Sequence, residues 1–525
     1  MYRRRGAVEA RQYGVATPHW AATDAAVEAL HNGGNSVDAA LAASAVLSVV
    51  YPHMCGLGGD VFAVVAGPDT RVVVNGSGPA ARLVDPEAVR RMYGSMPQEG
   101  PLTVTVPGAV AAWATLAAEF GGLPLAAAIA PAIAAAEKGT AVARSLARAI
   151  AANKVRVDAD PGMKAVLSHG GFPLVEGDPL VQPALGQSLR AIADEGSAAF
   201  YDGPIADALV PNLSAMGSPL TQRDFREYRV EVGSPLSGLY RQWEVLVPPP
   251  NSQGFVLLEI LGCLQRVGGS GVDLDRWSWA LGQFFLLATA DRDRFLADPR
   301  RVRVPVEALL SLDHLEDLIR QAQAAVDPTT PTSALAGDTV GVVVAQEGGM
   351  WISMNFSIYR AFGSGILDPD TGLILQNRGA SFSVDPDAAN YLAGGVRPAH
   401  TLMPVVVLEG SEPRVASATM GGSAHAQIHA QILTRMLEGG LPAREAVDHP
   451  RWLVGGLQVG GGPAVVAESR VGEDVTRALQ DSGMQVEPLK PWDEQVGHAQ
   501  VVSRRPDGGL EAASDPRADG TAATG

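Results

Sequence analysis

Gly337-Asp338-Thr339-Val340-Gly341-Val342-Val343-Val344-Ala345 is the point where this chain changes character. Just upstream, Ala325-Val326-Asp327-Pro328-Thr329-Thr330-Pro331-Thr332-Ser333 is polar, proline-rich and aperiodic. It reads as an exposed connector, the kind of segment in which a chain break is tolerated. From Thr339 onward the residues are β-rich and apolar, as in a strand buried on both faces. Gln346-Glu347-Gly348-Gly349 makes a turn and Met350-Trp351-Ile352-Ser353-Met354-Asn355-Phe356 returns, so a buried hairpin is predicted. A threonine at the start of a strand is ordinarily just a good strand residue. If the bond between Asp338 and Thr339 is cut, the threonine gains a free α-amine, with a pKa of about 8, beside its own hydroxyl. One residue then supplies both nucleophile and base. The same hydroxyl could make the cut by attacking the Asp338 carbonyl, with Gly337 lending the backbone freedom. Local features leave both readings standing.

Outward from this stretch the pattern is mixed. His19-Trp20-Ala21-Ala22 opens a helix that Asn32-Gly33-Gly34-Asn35 closes. Asp38 is expected to open a second, alanine-rich helix to residue 50, buried because small residues surround it. Residues 61–66 and 71–74 read as strands, and 108–155 and 254–324 as largely helical. Residues 244–247 form a strand ended by Pro248-Pro249-Pro250. After the hairpin, strands at 405–408, 415–419 and 500–503 alternate with a helix near 427–438. The whole is α/β, with layers of helix and sheet.

Forty basic residues against 56 acidic give a net charge of −16 over 525 residues, which argues against nucleic acid or anionic membrane as partner. The expected partner is a small-molecule substrate. Two cysteines, Cys55 and Cys263, exclude a disulfide framework and read as reduced thiols. Arg3-Arg4-Arg5 is followed by no apolar segment, and no uncharged apolar run reaches membrane length, so a cytoplasmic location is expected. His425 and His429 have metal-ligand spacing but no glutamate between them and no third ligand, so no metal is expected. Gly455-Gly456 and Gly460-Gly461-Gly462 lack a phosphate-cradle context, and Val267-Gly268-Gly269-Ser270-Gly271 lacks that of a nucleophile elbow. Asp291-Arg292-Asp293-Arg294 reads as a helix-borne ion-pair cluster, and Trp277 and Trp279 as packing.

Gly337-Asp338-Thr339-Val340, the hairpin and Phe362-Gly363-Ser364-Gly365 together resemble the start of the small subunit of gamma-glutamyltransferases, which are N-terminal nucleophile hydrolases. Matching segments lie along nearly the whole chain, in order. They are Gly33-Gly34-Asn35-Ser36-Val37-Asp38-Ala39-Ala40, Pro52-His53-Met54-Cys55-Gly56-Leu57-Gly58-Gly59-Asp60, Val106-Pro107-Gly108, Pro248-Pro249-Pro250-Asn251-Ser252 and Ala513-Ser514-Asp515-Pro516-Arg517. The resemblance implies a four-layer αββα sandwich, cleaved between Asp338 and Thr339 into residues 1–338 and 339–525. The two fragments would form one intertwined catalytic unit, and a pair of such heterodimers is one assembly open to it. It implies Thr339 as nucleophile, Ser357 as the hydroxyl that bonds the terminal amine, and Gly421-Gly422 as oxyanion donors, with no cofactor. Read without the family, Gly421-Gly422 is a tight turn after a strand.

The substrate-reading positions depart from the family. Asn75 sits at or near the place of the arginine that grips the glutamyl carboxylate. Arg378 and Ser381 stand where a glutamine and an aspartate would hold the α-amino group. His400-Thr401 replaces a serine pair, and Tyr359 an asparagine. A site that loses an acid and gains Arg378 disfavours an α-ammonium and favours a carboxylate, through a guanidinium clamp. The plainer reading of Arg378 is a structural arginine bonding loop carbonyls. The pattern resembles the branch that includes oxamate amidohydrolase and cephalosporin-acylase-like proteins. Three functions stay open: a gamma-glutamyl or related acyl-amide hydrolase, an oxamate-type hydrolase of small dicarboxylic amides, and an uncleaved, silent binding homologue.

Overall fold

The computed structural model of the protein describes residues 12–267, 274–324, 337–455 and 464–525. The connector at 325–333, Arg3 to Arg5 and the glycines at 268–271, 456 and 460–462 lie outside the described residues. The strands of the two main sheets are, in chain order, β1 (Tyr13–Thr17), β2 (Asp60–Gly67), β3 (Thr70–Gly76), β4 (Glu231–Gly233), β5 (Leu236–Tyr240), β6 (Trp243–Val247), β7 (Asp338–Gln346), β8 (Trp351–Tyr359), β9 (Val405–Glu409), β10 (Glu412–Met420), β11 (His498–Arg504), β12 (Leu510–Ser514) and β13 (Thr521–Thr524). One sheet runs β13-β1-β7-β8-β2-β3-β4 and the other β12-β11-β10-β9-β6-β5. Every pairing in them is antiparallel.

The two sheets face each other across a dry layer that includes Val64, Leu246, Val343, Trp351, Val406 and Val502. Gly341 faces the second sheet so closely that an added Cβ would stand 2.7 Å from the Ala418 carbonyl oxygen. Helices cover both outer faces. Under the first sheet lie α1 (Trp20–His31), α2 (Ser36–Val50), α3 (Ala109–Phe120) and α4 (Leu125–Lys138). Under the second lie α5 (Gly254–Val267), α6 (Ser278–Phe295), α7 (Leu312–Gln323) and α8 (His425–Leu437). The αββα order follows from this: each sheet buries one face on its partner and the other on helices.

Local chemistry sets the element boundaries. The second helix begins at Ser36, two residues before the sequence expectation, because Asn35 is the cap. Its side chain accepts from the Val37 and Asp38 N–H groups, and the Asp38 carboxylate accepts from Asn35 N–H at 2.7 Å, a reciprocal capping box. Every residue of α2 is buried, as its small side chains require. The hairpin forms as expected, with Val344 opposite Ile352 and Val342 opposite Met354. Each sheet combines strands from both sides of the Asp338–Thr339 bond. Of the first sheet's seven strands, β1, β2, β3 and β4 precede it. No helix of the described residues is long and apolar enough to cross a membrane. Cys55 and Cys263 are both free and buried, and burial pushes both thiols above their ordinary range.

A smaller sheet (Trp452–Val454, Ala464–Glu468, Gln485–Leu489) is held to the second main sheet by a fully buried charge cluster. Arg517 meets both oxygens of Glu468 at 2.9 and 2.6 Å and Asp515 at 2.9 Å, and Arg451 meets Asp515 at 2.6 Å. All four side chains are 0% exposed. This accounts for the Asp515-Pro516-Arg517 segment as a clamp between sheets. Arg517→Ala removes the cation shared by two buried carboxylates, leaving Asp515 to Arg451 and Glu468 to the part-buried Arg470, an imbalance of about 3–5 kcal/mol. Scanning calorimetry of that variant is expected to show a lowered Tm, with the smaller sheet the first part to lose hydrogen-exchange protection.

Candidate active site

The first residues of β7 set the geometry. Thr339 is 1% exposed, and its Oγ1 donates to Ser357 Oγ on the neighbouring strand β8 at 3.1 Å. Ser357 Oγ in turn donates to the Asp338 carbonyl oxygen at 2.6 Å and accepts from Tyr359 N–H at 2.8 Å. The β7–β8 register shifts between Asp338 and Val340, so the strand bulges at Thr339. Gly337, just before this, lies flat on the turn after β10: a Cβ there would be 2.5 Å from Gly422 Cα. Gly421 and Gly422, with φ of 155° and 54°, make that turn in a region that favours glycine. Burial pushes the Asp338 carboxyl up to about 6, against the pull of Arg156 and Arg360.

From Ser357 a closed path of contacts leads back to Gly337. Two residues on, Tyr359 has φ of 82°, a costly conformation for a bulky residue, and its ring lies beneath the Arg378 guanidinium, 3.6 Å from Cζ to the ring centroid. Arg378 is 1% exposed and donates from Nη2 to Thr401 Oγ1 at 2.9 Å, while Nε and Nη1 have no protein partner. Thr401 accepts at its carbonyl from Gln253 Nε2 at 2.8 Å, and the same amide reaches the Gly422 carbonyl at 3.3 Å. Tyr359, Arg378, Ser381, His400 and Thr401 line one cavity of about 410 Å³. Arg378 therefore bonds a side-chain hydroxyl and stacks on an aromatic ring, and among the described residues no loop carbonyl accepts from its guanidinium.

At the cavity wall sits a pair of which the sequence singled out only one member, His400. Asp60 and His400 are both buried, with Oδ2 and Nε2 3.1 Å apart. His400 Nδ1 accepts from Leu402 N–H at 3.2 Å, so the ring proton belongs on Nε2, which donates to Asp60. Burial and the Arg378 charge hold His400 well below its ordinary range, hence neutral. Burial raises Asp60 to about 7, offset in part by Arg378 and by backbone N–H groups. Burial also lowers Arg378 to about 10, which still leaves it a cation at neutral pH. The pair was hidden because its members lie 340 residues apart; Asp60 closed a glycine-rich turn with no visible role.

Two sequence candidates are otherwise engaged. Asn75 donates to Asn251 Oδ1 at 3.0 Å and accepts from Ser77 N–H and Oγ, in a knot beside the cavity lining and not in it. Ser381 lines the cavity, but its hydroxyl is bonded to the Arg378 and Ala399 carbonyls. The Asp291 to Arg294 segment divides. Arg292 pairs with Asp293 at 2.7 Å and reaches the Gln253 side chain and the Ser423 carbonyl, and both line the cavity; Asp291 points elsewhere. His429 bonds the Met403 carbonyl at 3.1 Å, and among the described residues no third ligand joins it and His425.

Comparison with known proteins agrees with this geometry. A family model described as Gamma-glutamyltranspeptidase matches residues 22–525. The chain is 35% identical over 517 residues to the glutathione hydrolase-like YwrD proenzyme of Bacillus subtilis, covering 97% of each. It is 34% identical to the oxamate amidohydrolase proenzyme of Klebsiella pneumoniae, covering 96% of this chain and 97% of that one. The crystal structure of cephalosporin acylase from Bacillus halodurans superposes with a TM-score of 0.90 at 33% identity, over 100% of this chain and 97% of the other. Since the match runs through both sheets and across the Asp338–Thr339 bond, the chain belongs to the gamma-glutamyltranspeptidase family of N-terminal nucleophile hydrolases.

Proposed function

We propose that the protein matures by cutting itself between Asp338 and Thr339 and then hydrolyses small amides through an acyl ester on Thr339, preferring donors whose acyl group carries a carboxylate. The observation that carries the first part is the hydroxyl relay from Thr339 through Ser357 to the Asp338 carbonyl. In maturation the Thr339 hydroxyl adds to the Asp338 carbonyl carbon. Its proton passes to Ser357, and the Ser357 proton passes to the carbonyl oxygen. The adduct's hydroxyl proton passes to the Thr339 nitrogen, which leaves as the free α-amine, and an ester remains. Water hydrolyses it to the Asp338 α-carboxylate and the free Thr339 hydroxyl. Residues 1–338 and 339–525 are then separate chains of one unit. In turnover that amine takes the Thr339 proton and later delivers it to the leaving amine. Gly421 and Gly422 are assigned the oxyanion; the close approach of Gly422 to Gly337, two residues before Thr339, supports that assignment.

The acyl preference rests on Arg378. Two of its donors face no protein acceptor in a buried site, so an incoming carboxylate gains charge-assisted bonds from them. Tyr359 holds the guanidinium plane, and Thr401 fixes one edge. Asp293, the acid among the described lining residues, is paired with Arg292 at 2.7 Å, which weakens its attraction for an α-ammonium. This favours small dicarboxylic monoamides, the class to which oxamate belongs, over gamma-glutamyl donors.

A denaturing gel tests maturation: fragments of about 35 and 19 kDa, by chain fraction of 54.5 kDa, are expected from wild type. Thr339→Ala is expected to stay whole and inactive, and Ser357→Ala to mature at least about a hundredfold more slowly. A fully active, uncut wild type overturns the reading. Arg378→Met in matured enzyme is expected to lose about 2–3 kcal/mol, roughly 30- to 150-fold, in kcat/KM for oxamate-like donors, with a much smaller loss for a neutral amide. Asp60 supplies a pH signature, since its raised folded value of about 7 makes it neutral below that pH and anionic above. Once ionised it offsets the Arg378 charge. KM for an anionic donor is therefore expected to rise as pH increases through about 7, and Asp60→Asn to flatten that rise.

A further inference from the structure

Away from the cavity, α5, α6 and α7 each contribute one side chain to a second polar cluster: Glu259, Asp291 and His314. His314 Nε2 is 2.8 Å from Asp291 Oδ2 and 3.8 Å from Glu259 Oε1, and the three ligand atoms all lie within 4.8 Å of one another. Glu259 is the unusual member. Its side chain is fully buried in the helical layer, and neither carboxylate oxygen has a hydrogen-bond partner. An ionised carboxylate in that position is strongly disfavoured unless a cation accompanies it. A neutral carboxyl fares poorly too, because its O–H finds no acceptor. The neighbouring Asp291 is a second acid, and it is His314 that Asp291 bonds.

We propose that Glu259, Asp291 and His314 bind one divalent cation of the zinc type. Donor chemistry selects the class. One imidazole and two carboxylates suit Zn²⁺ and its first-row neighbours, whereas Ca²⁺ takes six to eight oxygens. Zinc–ligand bonds of about 2.0–2.2 Å in a tetrahedron put neighbouring ligand atoms about 3.4 Å apart. The separations of 2.8 and 3.8 Å bracket that value, so small side-chain rotations complete three corners. The fourth corner belongs to water. His314 and Asp291, with 26% and 15% of their side chains exposed, form the open side through which the ion enters, and Glu259 closes the back. Two carboxylates and a dication are neutral together, which resolves the buried charge.

The site is structural, and it does not depend on the cleavage chemistry. It joins three helices. α7 ends at Gln323, just before the connector that leads to Thr339, and α6 carries Arg292 and Asp293 into the cavity wall directly after Asp291. A bound ion would fasten the last helix of the larger fragment to the helices behind the cavity.

The test uses tag-free full-length protein, stripped with EDTA, dialysed and titrated with Zn²⁺ by calorimetry, with bound metal measured by elemental analysis. One equivalent per chain is expected, with a raised Tm. Glu259→Gln, which preserves shape, and His314→Gln, at a part-exposed position, are each expected to weaken binding at least about tenfold. Uncut Thr339→Ala protein is expected to bind Zn²⁺ as wild type does, which separates this proposal from the maturation reading. Failure of wild type to take up a stoichiometric ion, or equal binding by wild type and both glutamine variants, overturns the assignment.

Discussion

Two places where backbones meet without side chains between them bring the start of β7 against the end of β10. Gly337 rests on Gly422, and Gly341 faces the Ala418 carbonyl. A Cβ at either position would collide with main-chain atoms, which cannot swing aside as a side-chain tip can. This approach closes Thr339 off from water and leaves Ser357 as the hydroxyl partner of its side chain. The cavity then opens on the far side of Tyr359, where the chain leaves β8 in a left-handed turn. Thr339 does not itself line the cavity; the contacts run from it through Ser357 to Tyr359, which does.

Electrostatics around Arg378 follow from its burial. Arg378 is kept charged without a carboxylate bonded to it; the Tyr359 ring face, the Thr401 hydroxyl and the more distant Asp60 share the task. Each is weaker than a direct ion pair, so the guanidinium retains capacity for a ligand. The contrast with Arg517 is instructive. That arginine is equally buried but saturated by Glu468 and Asp515, and it serves the fold. The same residue type is structural or receptive according to whether its donors are already used.

Much of the fold was legible because it is written in local periodicity. The hairpin β7–β8, the helices α1 and α2 and the strands β2 and β3 all follow from apolar runs between turn residues. β1 and β13 were not legible. They are short and small-residued, and they exist because Tyr13–Thr17 finds β7 on one side and Thr521–Thr524 on the other, pairings hundreds of residues apart. At the site, motif order located Thr339, Ser357 and the Gly421-Gly422 turn, and the structure brings Arg378, Tyr359, His400 and Thr401 to one cavity. What sequence could not give is how polar side chains share partners. Asn75 is consumed by Asn251 and Ser77, whereas Gln253, which no motif marked, and Arg292, read as one of a helix-borne ion-pair cluster, bridge the cavity loops.

Both sheets combine strands from before and after the Asp338–Thr339 bond, and in the first sheet β7 and β8 are set between β1 and β2. A chain so interleaved can assemble unimolecularly while it is continuous. Once the bond is gone, an unfolded molecule has to find its other half by diffusion, and each half alone exposes strand edges that invite wrong partners. Scission therefore makes folding history irreversible. A protein cut as proposed would persist through slow unfolding and not through ready renaturation.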